Sequence, residues 1–456
     1  MNKPARNHLV AFVGAVALAH FHALPACGMT LEDALASAYV NNPQLAAARA
    51  AQRKLDEGVP QALALRRPTV QAQAGVGATN GATTATNSAN GSKTETRVGP
   101  IGAVSVNIPI WTGGRADAAV AGARARIEAG LAALRGTEQD VFLRAATAYV
   151  DVLRDEQVVE VSREHARELA AELSSVKRRL AAGELRQPDV AATESQAAQG
   201  RARLSEAEGD LDLAQQIFRG VTGTAPDRLM PPKVPRGLPA MRNEAVAGSA
   251  DNPAVAAARY TVDAAHDAVR SARAQMAPSL AAVGSIGYPI SSGELVVNIP
   301  LLDGGLAESQ ARGAKQELAQ RRLELDGQQI AARQDAVSAW RTVQTARASI
   351  DADQAQVNAA RATRDGLARE ATQGLRTQLD VLGAEQRLLD AQLALAGAHH
   401  DEIVAAYRLV AATGHLTARD LGLDVVPYDA TEYATTTGAP LWDPVQVGQA
   451  YRNALP

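Results

Sequence analysis

Aromatic side chains are scarce in this 456-residue chain, at 3% of the total with 4 Phe and 3 Trp. Globular cores and ligand pockets lean on large rings, so a chain this poor in them has to pack by close helix–helix contact through small residues. Alanine is abundant throughout. The single cysteine, Cys27, excludes an intrachain disulfide framework and a cysteine-based zinc site. Neither sign of charge dominates, since the net is −3. No basic patch with interleaved aromatics occurs, which argues against nucleic acid as a partner. Beyond the N-terminus no apolar run approaches the length of a transmembrane helix. The Gly-Gly pairs at 113 and 304 are not followed by Gly-Lys-Ser/Thr, so they are not phosphate loops and read as strand-to-helix turns. No Ser/His/Asp arrangement stands out. The sequence therefore points to no enzyme and to no cofactor. His399-His400-Asp401-Glu402 superficially suggests metal binding, but adjacent helical residues point about 100° apart, and the group reads as solvated surface.

The N-terminus is informative. Lys3 and Arg6 precede the apolar run Leu9–Ala19, and Leu24-Pro25-Ala26 comes next. This is the three-part pattern of a secretory signal peptide over 1–26, with cleavage near Ala26 or Gly28. Loss of Lys3 and Arg6 takes the net charge from −3 to −5. Leu24-Pro25-Ala26-Cys27 also has the outline of a lipoprotein box that would acylate Cys27, although proline fits that box poorly.

An internal repeat organises the rest of the chain. Asn41-Asn42-Pro43-Gln44-Leu45-Ala46-Ala47-Ala48-Arg49 resembles Asp251-Asn252-Pro253-Ala254-Val255-Ala256-Ala257-Ala258-Arg259, 210 positions on. Val106-Asn107-Ile108-Pro109-Ile110 matches Val297-Asn298-Ile299-Pro300-Leu301, now 191 positions on, and Gly183, Asp189 and Gly223 map onto Gly374, Asp380 and Gly414 at that same spacing. The 19 extra residues of the first copy fall in the Gly/Ser/Thr/Asn-rich stretch Thr79–Arg97, which reads as an exposed loop. The expected units are a first repeat over 30–223 and a second over 242–414, with a proline-rich linker at 224–241 and a tail at 415–456.

Each repeat contains a long heptad seam. Positions 127, 131, 134, 138 and onward to 180 keep an unbroken 4-3 spacing with thirteen of sixteen apolar, and the copy from 318 to 371 keeps twelve. Such a seam demands a partner helix. The spacing predicts long helices over 113–182 and 304–373, each roughly 105 Å. Shorter helices are expected over 188–221 and 378–413, and single helices over about 31–65 and 243–276. Stretches of about ten residues alternating Val/Ile/Ala with Gly/Ser/Asn predict hairpins over 68–110 and 278–301, the pattern of a membrane β-barrel. Four strands cannot close a barrel alone, and open edges cannot face lipid, so the barrel has to be shared between chains. Charged helices of this length need water and belong below the membrane.

The order helix, hairpin, long helix, turn, shorter helix, then repeated, resembles the TolC family of outer-membrane efflux and secretion proteins from about Thr30 to Leu423. The motifs that carry it are Asn-Asn-Pro, Val-Asn-Ile-Pro-Ile-Trp-Thr-Gly-Gly-Arg at 106–115 with its copy at 297–306, and Gly-Leu-Arg-Thr-Gln-Leu-Asp-Val-Leu at 374–382. The resemblance implies an α+β membrane protein. Three chains would share one twelve-stranded β-barrel, four strands each, above a coiled-coil α-barrel of twelve helices. It also implies a passive exit duct in the outer membrane that works with a periplasmic adaptor and an inner-membrane ABC or proton-driven transporter, for type I protein secretion or for efflux. The tail from Pro427 resembles members that secrete proteins. Two other readings compete, a periplasmic coiled-coil adaptor and a structural coiled-coil envelope protein. Two equal hairpins disfavour the adaptor, and paired strands have no place in a purely fibrous protein.

Functional residues are expected at the two turns that end the long helices, Gly183–Asp189 and Gly374–Asp380. Glycine supplies the positive-φ stop, and the acid in the next first turn stabilises the helix dipole. Gly183, Leu185, Gly374 and Leu375 are candidates for adaptor docking. By the resemblance, Asp380 forms an acidic ring at the periplasmic mouth, and Gly383 stands where relatives have a second acid. Arg376 would latch the closed tip by reaching toward Asp189, and Ala371 replaces the tyrosine of that latch.

Overall fold

The computed structural model describes residues 28–82, 94–235, 237–288, 291–429 and 433. The expected signal segment 1–26, Cys27 and the tail beyond 433 lie outside the described residues. In chain order the elements are α1 (Leu31–Asn41), α2 (Pro43–Asp56), α3 (Gly58–Leu63), β1 (Thr69–Ala82), β2 (Thr94–Trp111), α4 (Arg115–Ala181), α5 (Gln187–Thr222), α6 (Arg242–Gly248), α7 (Pro253–Ala274), β3 (Ser279–Tyr288), β4 (Ser292–Asn298), α8 (Leu306–Thr372) and α9 (Gln378–Ala412). α4 and α8 have 67 residues each, roughly 100 Å at the helical rise. Shifted by 191 positions, the bounds of α4 fall on those of α8.

The helices that precede the hairpins are broken where one continuous helix is expected. The cause is the Asn-Pro pair. Proline lacks an N–H and clashes with the preceding turn. Asn42 then caps α2, its Oδ1 accepting from Gln44 N at 2.9 Å and Leu45 N at 3.3 Å, and Asn252 caps α7 through Ala254 N at 2.9 Å. The same side chains tie each repeat together. Asn42 Nδ2 donates to Val221 O at 3.0 Å, and Asn252 Nδ2 donates to Ala412 O at 3.3 Å. These carbonyls lie at the C-terminal ends of α5 and α9 and are themselves 191 positions apart. Gly414, at φ 84°, completes the second copy of this joint, because a Cβ there would collide with the backbone of Asp251.

The four strands form one antiparallel sheet in the order β1-β2-β3-β4. β1 and β2, at 14 and 18 residues, are longer than the ten expected and run into the polar stretch read as a loop, pairing Thr79 with Arg97 and Ala82 with Thr94. Ladder bonds are backbone bonds, and strands held in register by a hairpin extend through Thr and Gly without an apolar face. Pro109 sits in central strand β2 beside a register shift, where the missing N–H is tolerated. The register separates two faces. Val70, Val104, Ile286 and Leu295 lie on one and are all exposed, as is Val297. Gln71, Ser105, Ser285 and Ser292 lie on the other, with Ser285 and Ser292 hydroxyls 2.9 Å apart.

Below the sheet the helices stand in a row. α5 packs on α4, and both α7 and α9 pack on α4 and on α8, so α5 and α8 are the ends. No position of the α4 heptad seam is exposed, and eleven of the sixteen are buried. Small residues do most of this packing: six of the eight buried residues of α8 are alanine. The few aromatics gather midway, where Tyr39, Phe142, Tyr149 and Phe218 share the main core. Tyr149 Oη, fully buried, donates within a cluster that holds Met29 O and Met230 O, each at 2.7 Å, and accepts from Met230 N at 3.0 Å. It thereby fixes the linker to the start of the first repeat. Glu138, an acid on the seam, accepts from Ala418 N in the tail. No helix among the described residues is long and apolar enough to cross a membrane. Asn42→Ala removes a helix cap and the bond to Val221, and is expected to destabilise the chain by about 1–2 kcal/mol. The midpoint of urea unfolding measures this, and an unchanged midpoint removes the joint's structural role.

Candidate functional site

The two turns at the far end of the helices are built alike. α4 closes with Gly183 N donating to Leu180 O and Glu184 N to Arg179 O, both at 2.9 Å, and α8 closes with Leu375 N donating to Glu370 O at 2.9 Å. Gly183 and Gly374 have φ of 78° and 76°, the left-handed region that ends a helix without a Cβ penalty. Each following helix is capped by an acid in its first turn. Asp189 Oδ2 accepts from Arg186 N at 3.2 Å. Asp380 Oδ2 accepts from Thr377 N at 3.0 Å and from Thr377 Oγ1 at 2.8 Å, while Thr377 Oγ1 accepts from Asp380 N at 3.3 Å. These bonds from Thr377, with the nearby Arg376 charge, hold the Asp380 carboxyl below the usual carboxylate range. The turn therefore presents a fixed negative charge at any ordinary pH.

Arg376 does not reach Asp189. Its Nε bonds Glu370 Oε2 at 2.9 Å, and no ion pair among the described residues joins Arg376 to Asp189. Glu370 is six residues away on the same turn, so this pair fixes less chain than a bond to the other hairpin. Both partners are about half exposed, and such pairs are worth about 0–1 kcal/mol. Leu375 is 70% exposed at the tip, and Leu185 is partly buried.

Two polar clusters escape a reading by sequence pattern. His400 is not solvated surface: its side chain is 13% exposed, with Nε2 2.9 Å from Asp151 of α4 and Nδ1 2.9 Å from Asp401. Burial disfavours its charge, but the bonds to Asp151 and Asp401 win and raise its pKa. Both ring nitrogens are engaged, which leaves none for a metal, and no metal-binding group occurs among the described residues. Nearer the tip, Glu385 of α9 lines a cavity of about 240 Å³ with Glu168 and His165 of α4 and Arg364 of α8. Burial first, then the charges of Glu168 and Glu172, against the opposing Arg364, push the Glu385 carboxyl up to about 6. The only available signal was a carboxylate beside the seam, which periodicity cannot tell from a solvated one. Like charges thus meet across the α4–α9 seam that joins the two hairpins. A carboxyl whose pKa is raised on folding costs stability above the folded value and none below the unfolded one. Glu385→Gln is therefore expected to raise the thermal midpoint at about pH 7.5 and leave it unchanged near pH 3.5. An equal shift at both pH values overturns the charge account.

The sequence matches the family profile described as Outer membrane efflux protein over residues 34–224 and 249–415. It is 33% identical over 417 residues to the outer membrane efflux protein BepC of Brucella suis, covering 89% of each chain. It is 25% identical over 312 residues to the alkaline protease secretion protein AprF of Pseudomonas aeruginosa, covering 63% of this chain and 64% of that one. Among solved structures, the outer membrane channel CmeC of Campylobacter jejuni superposes with a TM-score of 0.74 at 14% identity, over 96% of this chain and 97% of that one. The outer membrane protein VceC of Vibrio cholerae gives 0.72 at 21% identity, over 84% and 96%. These two share the fold.

Proposed function

The chain belongs to the outer membrane efflux protein family, an exit channel of the outer membrane that extends into the periplasm, and we propose that three copies build its duct together. The observation that carries this reading is the sheet. It has one exposed apolar face, one polar face and two open edges, β1 and β4. Lipid suits the apolar face, water the polar one, and open edges are not tolerated in hydrocarbon. Three copies of a four-stranded sheet close a twelve-stranded barrel, and the four-helix rows beneath it close a twelve-helix tunnel.

In this reading the duct makes and breaks no bonds. A periplasmic adaptor docks on the turns at Gly183, Leu185, Gly374 and Leu375, where exposed Leu375 offers an apolar contact. An inner-membrane transporter, ABC or proton-driven, supplies cargo and energy. One relative is named for efflux and another for protease secretion, and the cargo class lies between these two. Three copies of Asp380 ring the periplasmic mouth, each kept ionised by Thr377, and attract cations. Arg376 is held by Glu370 in the isolated chain, and in the assembly Asp189 competes for it as a weak latch.

Purified full-length protein in planar bilayers tests this. Asp380→Asn is expected to reduce block by multivalent cations, and unchanged block removes the ring. Arg376→Ala is expected to raise resting conductance, and an unaltered current removes the latch. A wholly soluble periplasmic product that conducts nothing overturns the duct itself.

A further inference from the structure

The described part of the tail runs along the helices that precede the first hairpin, and it runs toward the sheet. Tyr428 N donates to Tyr39 Oη at 2.9 Å, and the guanidinium of Arg49 in α2 lies 4.3 Å over the Tyr39 ring. Further along the tail, Tyr433 Oη donates to Glu57 Oε1 at 2.9 Å, at the joint between α2 and α3. These two contacts set the direction of the chain, from the level of the rings up along α2. Residues 434–456 follow.

Beside that joint the wall has a groove of about 590 Å³. α4 lines it with Ala119 and Ala123, α2 and α3 with Leu55 and Ala62, and α7 with Ala272. Glu57 stands three residues after Lys54 and four before Gln61, and both of these line the groove. Residues at that spacing share a helix face, so Tyr433 is held at the groove's border. No described residue of α5 or α8 lines it, which separates it from the outer flanks of the row. Lys54 and Arg126 also line it, and no ion pair among the described residues uses either. Asp267 is the acid of the lining, and Arg270 already holds it at 2.9 Å.

The tail carries the bulk that this alanine-lined groove lacks. One of the 3 Trp of the chain is Trp442, in Pro440-Leu441-Trp442-Asp443-Pro444. Proline at both ends favours an extended segment over a helix. Eight residues separate Tyr433 from Leu441, a reach of up to roughly 28 Å, whereas the helical stretch from Lys54 to Ala62 is only about 12 Å long. We propose that residues 440–444 of the chain's own tail fill this groove, Leu441 and Trp442 against the alanines of α4 and α7, and Asp443 toward Lys54 and Arg126. A large ring there removes about 150–250 Å² from water. The tail then ties α3 to α7 across α4, under the sheet, as Tyr149 ties the linker to the first repeat lower down. This docking does not depend on the number of copies, so it and the duct fail separately.

Full-length protein in detergent, with Cys27→Ser as background, tests it by mild oxidation. Leu441→Cys with Ala119→Cys is expected to form a disulfide within one chain, read as a mobility shift at monomer mass under denaturing conditions. Leu441→Cys with Arg124→Cys, which faces away from the groove on α4, is not. Adding Lys54→Glu and Arg126→Glu sets acids against Asp443 and is expected to slow the 441–119 disulfide by about fivefold or more. Fluorescence gives a reading without cysteines: the emission lost in Trp442→Phe is expected to be shielded from acrylamide in the wild type. Equal oxidation at 119 and 124, or a Trp442 emission open to acrylamide, overturns the docking. A 441–119 disulfide that joins two chains overturns the chain's own tail as the occupant.

Discussion

Backbone groups without partners are the constraint on which this architecture depends. Along the outer sides of β1 and β4 the N–H and C=O groups have no partner strand in the sheet, and in hydrocarbon each such group costs several kcal/mol. The sheet is also apolar on the face that a soluble protein would cover and polar on the other. The row of helices repeats the problem in milder form, because among the described residues no long helix covers the outer flank of α5 or α8. Among the described residues both the sheet and the helix row thus end in open sides.

The interior reflects the shortage of rings. A helix wall roughly 100 Å long and one layer thick has no deep core, so bulky side chains would have nowhere to go. Alanine along the α8 seam lets helices approach closely over most of that length. The rings are concentrated at one level, where α1, the linker and the start of the tail wrap α4. Tyr149 bonds both Met29 and Met230 there, and the Asn42 and Asn252 joints lie at the ends of the helices that reach this level. The wall is tied into one body at that belt and is only seam-packed elsewhere.

Toward the tip, where Leu169, Ala197 and Leu382 still pack together, charge is added to packing. The capping acids at Asp189 and Asp380 hold their turns, and Arg376 stays with Glu370. The α4–α9 seam carries His400 against Asp151 nearer the belt and Glu385 among other carboxylates nearer the tip. The first contact is favourable and the second unfavourable at neutral pH. The seam between the two hairpins is therefore reinforced by a charge contact near the belt and carries a buried, raised carboxyl nearer the tip.

Much of this is present in the linear sequence. The duplication, the seam and the hairpin positions are periodic or local properties, and a side chain's face on a helix or strand depends only on spacing. The positive-φ glycines and the capping acids are likewise decided within one turn of chain. The Asn-Pro break is visible as a motif, but its function depends on Val221 and Ala412, far away in sequence. His400 departs from expectation because a titratable side chain takes whichever partner the neighbouring element presents, here Asp151 of α4, and spacing does not reveal which element that is. The extent of β1 and β2 is hidden because ladder bonds do not read side chains. Sequence periodicity alone determined the long helices and their lengths. Tertiary structure alone decided which helix flanks meet and which stay open, because that depends on contacts between residues hundreds of positions apart.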